Sequence, residues 1–191
     1  MKAQSKRNRA TRTDWLVTAL DALYKEGPKG LNIQGLARQL QISKTSFYWH
    51  FKDKDELLVA AVDFWCHEFT DTVTENVELL NRPPRQRLAK AAEIIYKCDL
   101  GKYDSSFRIW ARTEPLVANA VRKVNKQRLE FASNAFAELG FSGNSLACRA
   151  VLWVGYHSTE RFIFPELSAA KRKAFRENTL ELLISGGTEQ S

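Results

Sequence analysis

The stretch from Asn32 to Leu58 constrains the fold more than any other part of this chain: Asn-Ile-Gln-Gly-Leu-Ala-Arg-Gln-Leu-Gln-Ile-Ser-Lys-Thr-Ser-Phe-Tyr-Trp-His-Phe-Lys-Asp-Lys-Asp-Glu-Leu-Leu. Asn32 suits a helix cap before Ile33, Leu36, Ala37 and Leu40, which share one apolar face. Ser43 suits a second cap before Phe47 and Phe51. Asp53 opens a third helix with Glu56 at N3, the spacing of a capping box ahead of Leu57 and Leu58. The middle helix, about two turns long, is too short to stand alone and must be clamped by its neighbours. A helix-turn-helix DNA reader is the arrangement commonly built this way. The outward residues of that helix are Lys44, Thr45, Ser46, Tyr48, Trp49 and His50. Hydroxyls, an ammonium, an indole and an imidazole suit phosphates and base edges.

At Ala19, Ala22, Leu23, Tyr24, Gly27, Asn32, Leu36, Ala37, Ile42, Ser43, Ser46, Phe47, Tyr48, His50, Phe51, Lys54, Leu57 and Leu58 the chain resembles the TetR family of bacterial transcriptional repressors. The resemblance covers roughly residues 12 to 60. It implies an all-α protein, with a helix-turn-helix DNA-binding domain at 1-52 and a helical ligand-binding and dimerisation domain at 53-191. It also implies a homodimer on a near-palindromic double-stranded DNA operator, released by a small-molecule effector. By correspondence and by chemistry, Gln34, Lys44 and Thr45 are expected to face bases, with Gln matching adenine, Lys guanine and Thr a thymine methyl. Tyr48, His50 and Lys54 are expected at phosphates, Ser46 beside them, and Trp49 at either a phosphate or a base. The sequence departs from the family pattern at two positions. Gln41 stands where the turn usually carries Gly, at a cost of about 1 kcal/mol if the backbone there is left-handed. Thr45 stands where Gly is usual, so the base preference is expected to be this chain's own.

Charge sits where the reader sits. Net charge is +7, and residues 1–58 hold 11 Lys and Arg against 6 Asp and Glu, whereas the remainder is nearly balanced. Residues 1 to 12 carry Lys2, Lys6, Arg7, Arg9 and Arg12 with no acid, which reads either as a solubilising tail or as a basic arm on DNA. Cys66, Cys98 and Cys148 are scattered, with no Cys-x-x-Cys spacing, so neither a disulfide framework nor a zinc site is indicated. No apolar run of membrane-spanning length and no export signal is present, so a cytoplasmic protein without membrane contact is expected.

Beyond residue 60 the chain reads as helices throughout. A long helix is expected from Asp53 to about Leu80, broken by Asn81-Arg82-Pro83-Pro84. Further helices are expected at about 85–99, 105–112, 115–139, 145–164 and 168–184. Resemblance places the last two in a four-helix bundle with a second subunit. Cys148, Leu152, Gly155, Thr159 and Phe162 lie along one face, which supports that interface, with packing inside the monomer as the alternative.

Trp65, Phe69, Trp110, Phe131 and Trp153 are candidates to line an effector cavity, with Arg112 or His157 as polar anchor, in a pocket of about 300 Å³ or more. Each aromatic also reads as ordinary core. His50, His67 and His157 lack metal-ligand spacing, and no Gly-rich phosphate loop or nucleophile elbow occurs, so no cofactor and no enzymatic activity are indicated. Two rival readings stand beside the ligand-released repressor. One is a helix-turn-helix regulator or nucleoid-associated protein controlled by a protein partner, and the other is a helical enzyme or binding protein with a vestigial reader.

Overall fold

The computed structural model describes residues 10–186; most of the basic segment 1–12 therefore lies outside the described residues. Among these residues the secondary structure is entirely helical: α1 Arg12–Glu26, α2 Ile33–Gln39, a 3-10 helix Lys44–Trp49, α3 Lys54–Cys66, a π-helical turn His67–Asp71, then α4 Thr72–Thr74, α5 Val77–Leu80, α6 Pro84–Lys97, α7 Asp104–Trp110, α8 Pro115–Glu138, α9 Gly143–Ile163 and α10 Ala169–Ile184. Backbone packing divides the chain into compact units at Met1–Phe64 and Trp65–Ser191. The division falls within α3, whose Leu57, Ala60, Ala61 and Val62 are buried.

In the first unit side-chain caps start α1 and α2. Thr11 and Asp14 form a capping box at α1: the Asp14 amide donates to Thr11 Oγ1 at 3.1 Å and the Thr11 amide to Asp14 Oδ2 at 2.7 Å. Asn32 Oδ1 accepts from the Gly35 amide at 2.6 Å. After α2 the Gln41 amide donates to Arg38 O at 3.1 Å and the Ile42 amide to Ala37 O at 3.0 Å, the paired bonds of a Schellman stop. That stop needs a left-handed residue, and Gln41 supplies it with φ 56°. At Gly30 a Cβ would lie 2.6 Å from the Ala22 carbonyl oxygen, so only glycine lets this turn press against α1. The core is aromatic at its centre. Trp15 meets Phe47 edge-on with ring centres 5.3 Å apart, and Phe51 lies 5.3 Å from Phe47 on the other side.

Two local expectations need correction. Residues 44–49 wind as a 3-10 helix, and Ser43 makes no side-chain cap; instead the Ser46 amide donates to Ser43 O at 3.0 Å, the tighter pairing open to a very short helix. The helix expected from Asp53 to Leu80 is interrupted by the π turn and ends at Thr74, where Asn76 starts a new one by accepting from the Leu79 amide at 2.9 Å.

The second unit packs α6, α8, α9 and α10 around Leu88, Ala91, Phe131, Ala135, Phe136, Trp153 and Leu180. Ion pairs made by two buried arginines fix the geometry. Arg87 of α6 holds Glu138 of α8 through two bonds, 2.7 and 2.9 Å. Arg172 of α10 bonds Glu160 of α9 at 2.5 Å and also donates to the Leu167 carbonyl at 2.9 Å, closing the turn between the last two helices. Glu160 is thereby satisfied internally, and Arg161 pairs with Asp99 at 3.0 Å.

Candidate functional site

The packing of Phe47 and Phe51 into the first unit turns the other side of the 3-10 helix outward. Lys44, Thr45, Tyr48 and Trp49 are exposed on it, as are Gln34 on α2 and Lys54 at the start of α3, while Ser46 and His50 are half-buried. Trp49 is 74% exposed. An indole so open is expected at a contact surface rather than in idle solvent. The start of α3 is held by Asp53, which accepts from the Glu56 amide at 2.9 Å, and by Glu56, which accepts from the Lys52 amide at 2.7 Å. Lys54 thus stands on a fixed helix N-terminus, where the helix dipole favours an anion. His50 is placed differently from its neighbours: its Nε2 lies 2.9 Å from the Ala10 carbonyl oxygen. That nitrogen is committed to the protein's own backbone, so a phosphate role is left only to Nδ1.

In the second unit one cavity lies between the π turn, α6, α7, α8 and α9, with Phe69, Phe131, Trp153 and His157 on its wall. Its volume is about 30 Å³, room for one or two waters and far short of the 300 Å³ expected. Trp65 and Trp110 do not reach it. Trp65 stacks on Phe107 with ring centres 4.0 Å apart and planes 11° from parallel, and Trp110 packs 5.9 Å from the same phenyl ring. Arg112 is exposed and also absent from the wall. The expected aromatic set therefore separates into a cavity wall and a stack, because Phe107 offers the two tryptophans a better-packed neighbour than an empty space.

The polar end of this cavity is Arg128. Its guanidinium pairs with buried Asp104 and donates to Thr70 Oγ1 at 3.1 Å and to the Phe69 carbonyl at 3.2 Å. One arginine thus ties the π turn of one segment to the first turn of α7. His157 packs edge-on against Trp153 at 4.5 Å. Burial, reinforced by the charge of Arg176, pushes its pKa down to about 3, so the ring is a neutral imidazole at neutral pH. Among the described residues no group of three or more His, Cys, Asp or Glu side chains is placed to hold a metal ion, and no helix is long and apolar enough to cross a membrane.

The sequence profile of the bacterial regulatory proteins of the tetR family matches residues 16–61, the segment that builds this exposed reader. That segment is a DNA-binding segment of the TetR family type. Two HTH-type transcriptional regulators of Bacillus subtilis are similar to this chain: YerO, 33% identical over 75 residues, and YuxN, 25% identical over 118 residues. The matched stretches are 38% and 60% of this chain but only 26% and 40% of those proteins' lengths. The fold extends the likeness over most of the chain. A transcriptional regulator from Rhodococcus sp. Rha1 superposes with a TM-score of 0.70 at 18% identity, covering 92% of this chain and 94% of that one. FadR from Bacillus subtilis, solved with stearoyl-CoA, gives 0.67 at 15% identity, covering 93% and 100%.

In the sequence the reader was legible and the Arg128–Asp104 pair was not. Arg128 lies four residues after buried Val124 and three before buried Phe131, on the apolar stripe of α8. An arginine at an apolar position was the available signal, since a buried guanidinium needs a paired acid.

Proposed function

We propose that this protein is a homodimeric transcriptional repressor that binds a near-palindromic operator and leaves it when a small, largely apolar effector enters the second unit. The observation that carries the reading is the exposed set Gln34, Lys44, Thr45, Tyr48, Trp49 and Lys54 on a reader held rigid by the Trp15–Phe47–Phe51 core. Such a set has phosphate-binding and base-reading groups side by side. Dimerisation is supported by the α9 and α10 surfaces, where Leu152, Phe162 and Leu182 are 60%, 78% and 73% exposed. Apolar surface of that kind is usually covered by a partner. One short reading helix spans only a few base pairs, and a second copy about 34 to 36 Å away would read the next major-groove face.

The effector site we propose is the Phe69–Phe131–Trp153–His157 cavity in an opened form. A ligand releases DNA only by favouring one of two arrangements, so it must bind better where this cavity is larger. The chain between reader and cavity runs from Lys54 along α3 to the π turn that Arg128 holds, and π turns are frequent at functional sites. Straightening that turn would change the helical register ahead of Phe69.

Gel shift with the promoter region of the protein's own gene tests the reading, with a saturable complex at nanomolar protein as the expected result. Equal affinity for random DNA would favour a nucleoid-associated role, and no binding at low salt would overturn the DNA reading.

A further inference from the structure

Between α6 and α10 lies an open groove of about 720 Å³, the size of a small-molecule site. It shares Trp153 and His157 with the small cavity, so these two residues contribute to both walls. Four of its five cations have acid partners: Arg82 with Glu78 at 2.6 Å, Lys90 and Lys97 with Glu93, and Lys173 with Glu177 at 3.8 Å. The fifth is different. Arg176 lies over the Tyr96 ring at 4.0 Å, and its Nη1 is buried with no hydrogen-bond acceptor among the described residues. The indole Nε1 of Trp153 is likewise buried and unmatched. Both are donors only, so among the described residues each lacks an acceptor. Lys90, Lys97, Lys173, Arg176 and Arg82 outnumber Glu93 and Glu177 on the groove, and His157 adds no charge at neutral pH. A cation would be repelled here, and a neutral hydrocarbon would leave the guanidinium nitrogen unsatisfied.

We propose that this groove binds an amphipathic monocarboxylate, with the carboxylate on the Arg176 guanidinium and a flat apolar body against Trp153 and Leu180. The inference rests on reading the second unit as the effector unit, and it changes the expected ligand from a merely apolar molecule to an aryl or alkyl acid. A body seated on Trp153 presses on a residue that also walls the small cavity, which gives the acid a physical route to open it.

Calorimetric titration of the full-length protein without DNA tests the proposal with two probes of one shape, naphthoate and naphthalenemethanol. Naphthoate is expected to bind about tenfold or more tighter than the alcohol, the usual worth of a charge-assisted bond. Arg176→Gln is expected to erase that difference, Arg176→Lys to keep part of it, and Lys126→Gln, in an exposed pair with Glu130 elsewhere, to leave it intact. Equal binding of the two probes, no naphthoate binding at millimolar concentration, or a folded Arg176→Gln protein that binds naphthoate like wild type would each overturn it. Should Arg176→Gln not fold, the two-probe comparison in the wild type still decides. Because no DNA is present, a negative result here leaves operator binding untouched, and a failed gel shift leaves this site untouched.

Discussion

His50 Nε2 donates to the Ala10 carbonyl oxygen at 2.9 Å, joining the end of the 3-10 helix to the residue that precedes the α1 cap. The bond closes a 40-residue loop at the edge of the reader, so its loss should loosen Ala10 and Thr11 before it disturbs the core. His50→Ala is expected to cost about 0.5 to 1.5 kcal/mol in denaturant titration, the net worth of one hydrogen bond. It should also speed amide exchange at the start of α1. Unchanged stability together with unchanged exchange would mean the bond contributes nothing.

Gln41 holds φ 56° in the Schellman stop between α2 and the 3-10 helix. Gln41→Gly should relieve the left-handed strain and stabilise the protein by up to about 1 kcal/mol, offset in part by the extra freedom of the unfolded chain. A lowered denaturation midpoint would show that the Gln41 side chain makes a stabilising contact that outweighs the strain.

The neutral imidazole of His157 makes stability depend on pH in a definite direction. Above about pH 6.5 the ring is unprotonated in both folded and unfolded chains. Below that the unfolded chain takes up a proton which the folded chain refuses down to about pH 3, so stability falls as pH falls. For one such group the slope is at most about 1.4 kcal/mol per pH unit. Urea midpoints between about pH 6.5 and 5, above most carboxylate titrations, should fall in the wild type and flatten in His157→Gln. A wild-type profile no steeper than the variant's would show that His157 protonates freely in the folded protein.

The α9 and α10 surfaces should be where two copies meet. Among the described residues nothing outside its own helix backbone and chain neighbours lies within 4 Å of a Cβ placed on Gly155, so a side chain starts there into open space and is expected to obstruct a partner. Gly155→Trp is expected to fold with wild-type helicity and sediment at half the wild-type mass at micromolar concentration. A wild-type mass for the variant would move the interface elsewhere.

What could be read in the sequence is what neighbouring residues settle among themselves. Asn32, Gln41 and the Asp53–Glu56 pair act within four residues of their partners, so the two helices and the turn of the reader were open to inspection. The exposed side chains followed, because burying Phe47 and Phe51 fixes which residues face out. The cavity was less legible. Helical spacing shows that Trp65 and Trp110 are buried but not that Phe107 takes them both, and Arg128 meets partners 24 to 59 residues away. The break at Asn76 carried a readable signal, an Asn cap three residues before Leu79, hidden by the continuous apolar spacing around it.

The central claim is that Lys44 and Thr45 read bases while Lys54 holds a phosphate. Fluorescence anisotropy of cognate operator and random DNA across a salt series tests it most directly. Lys44→Ala or Thr45→Ala should lose about 1 to 3 kcal/mol on the operator and little on random DNA. Lys54→Ala should weaken both alike and lower the slope of log K against log salt by about 1. If Lys44→Ala and Thr45→Ala weaken every sequence equally, or Lys54→Ala leaves the salt slope unchanged, the assignment of this surface is contradicted.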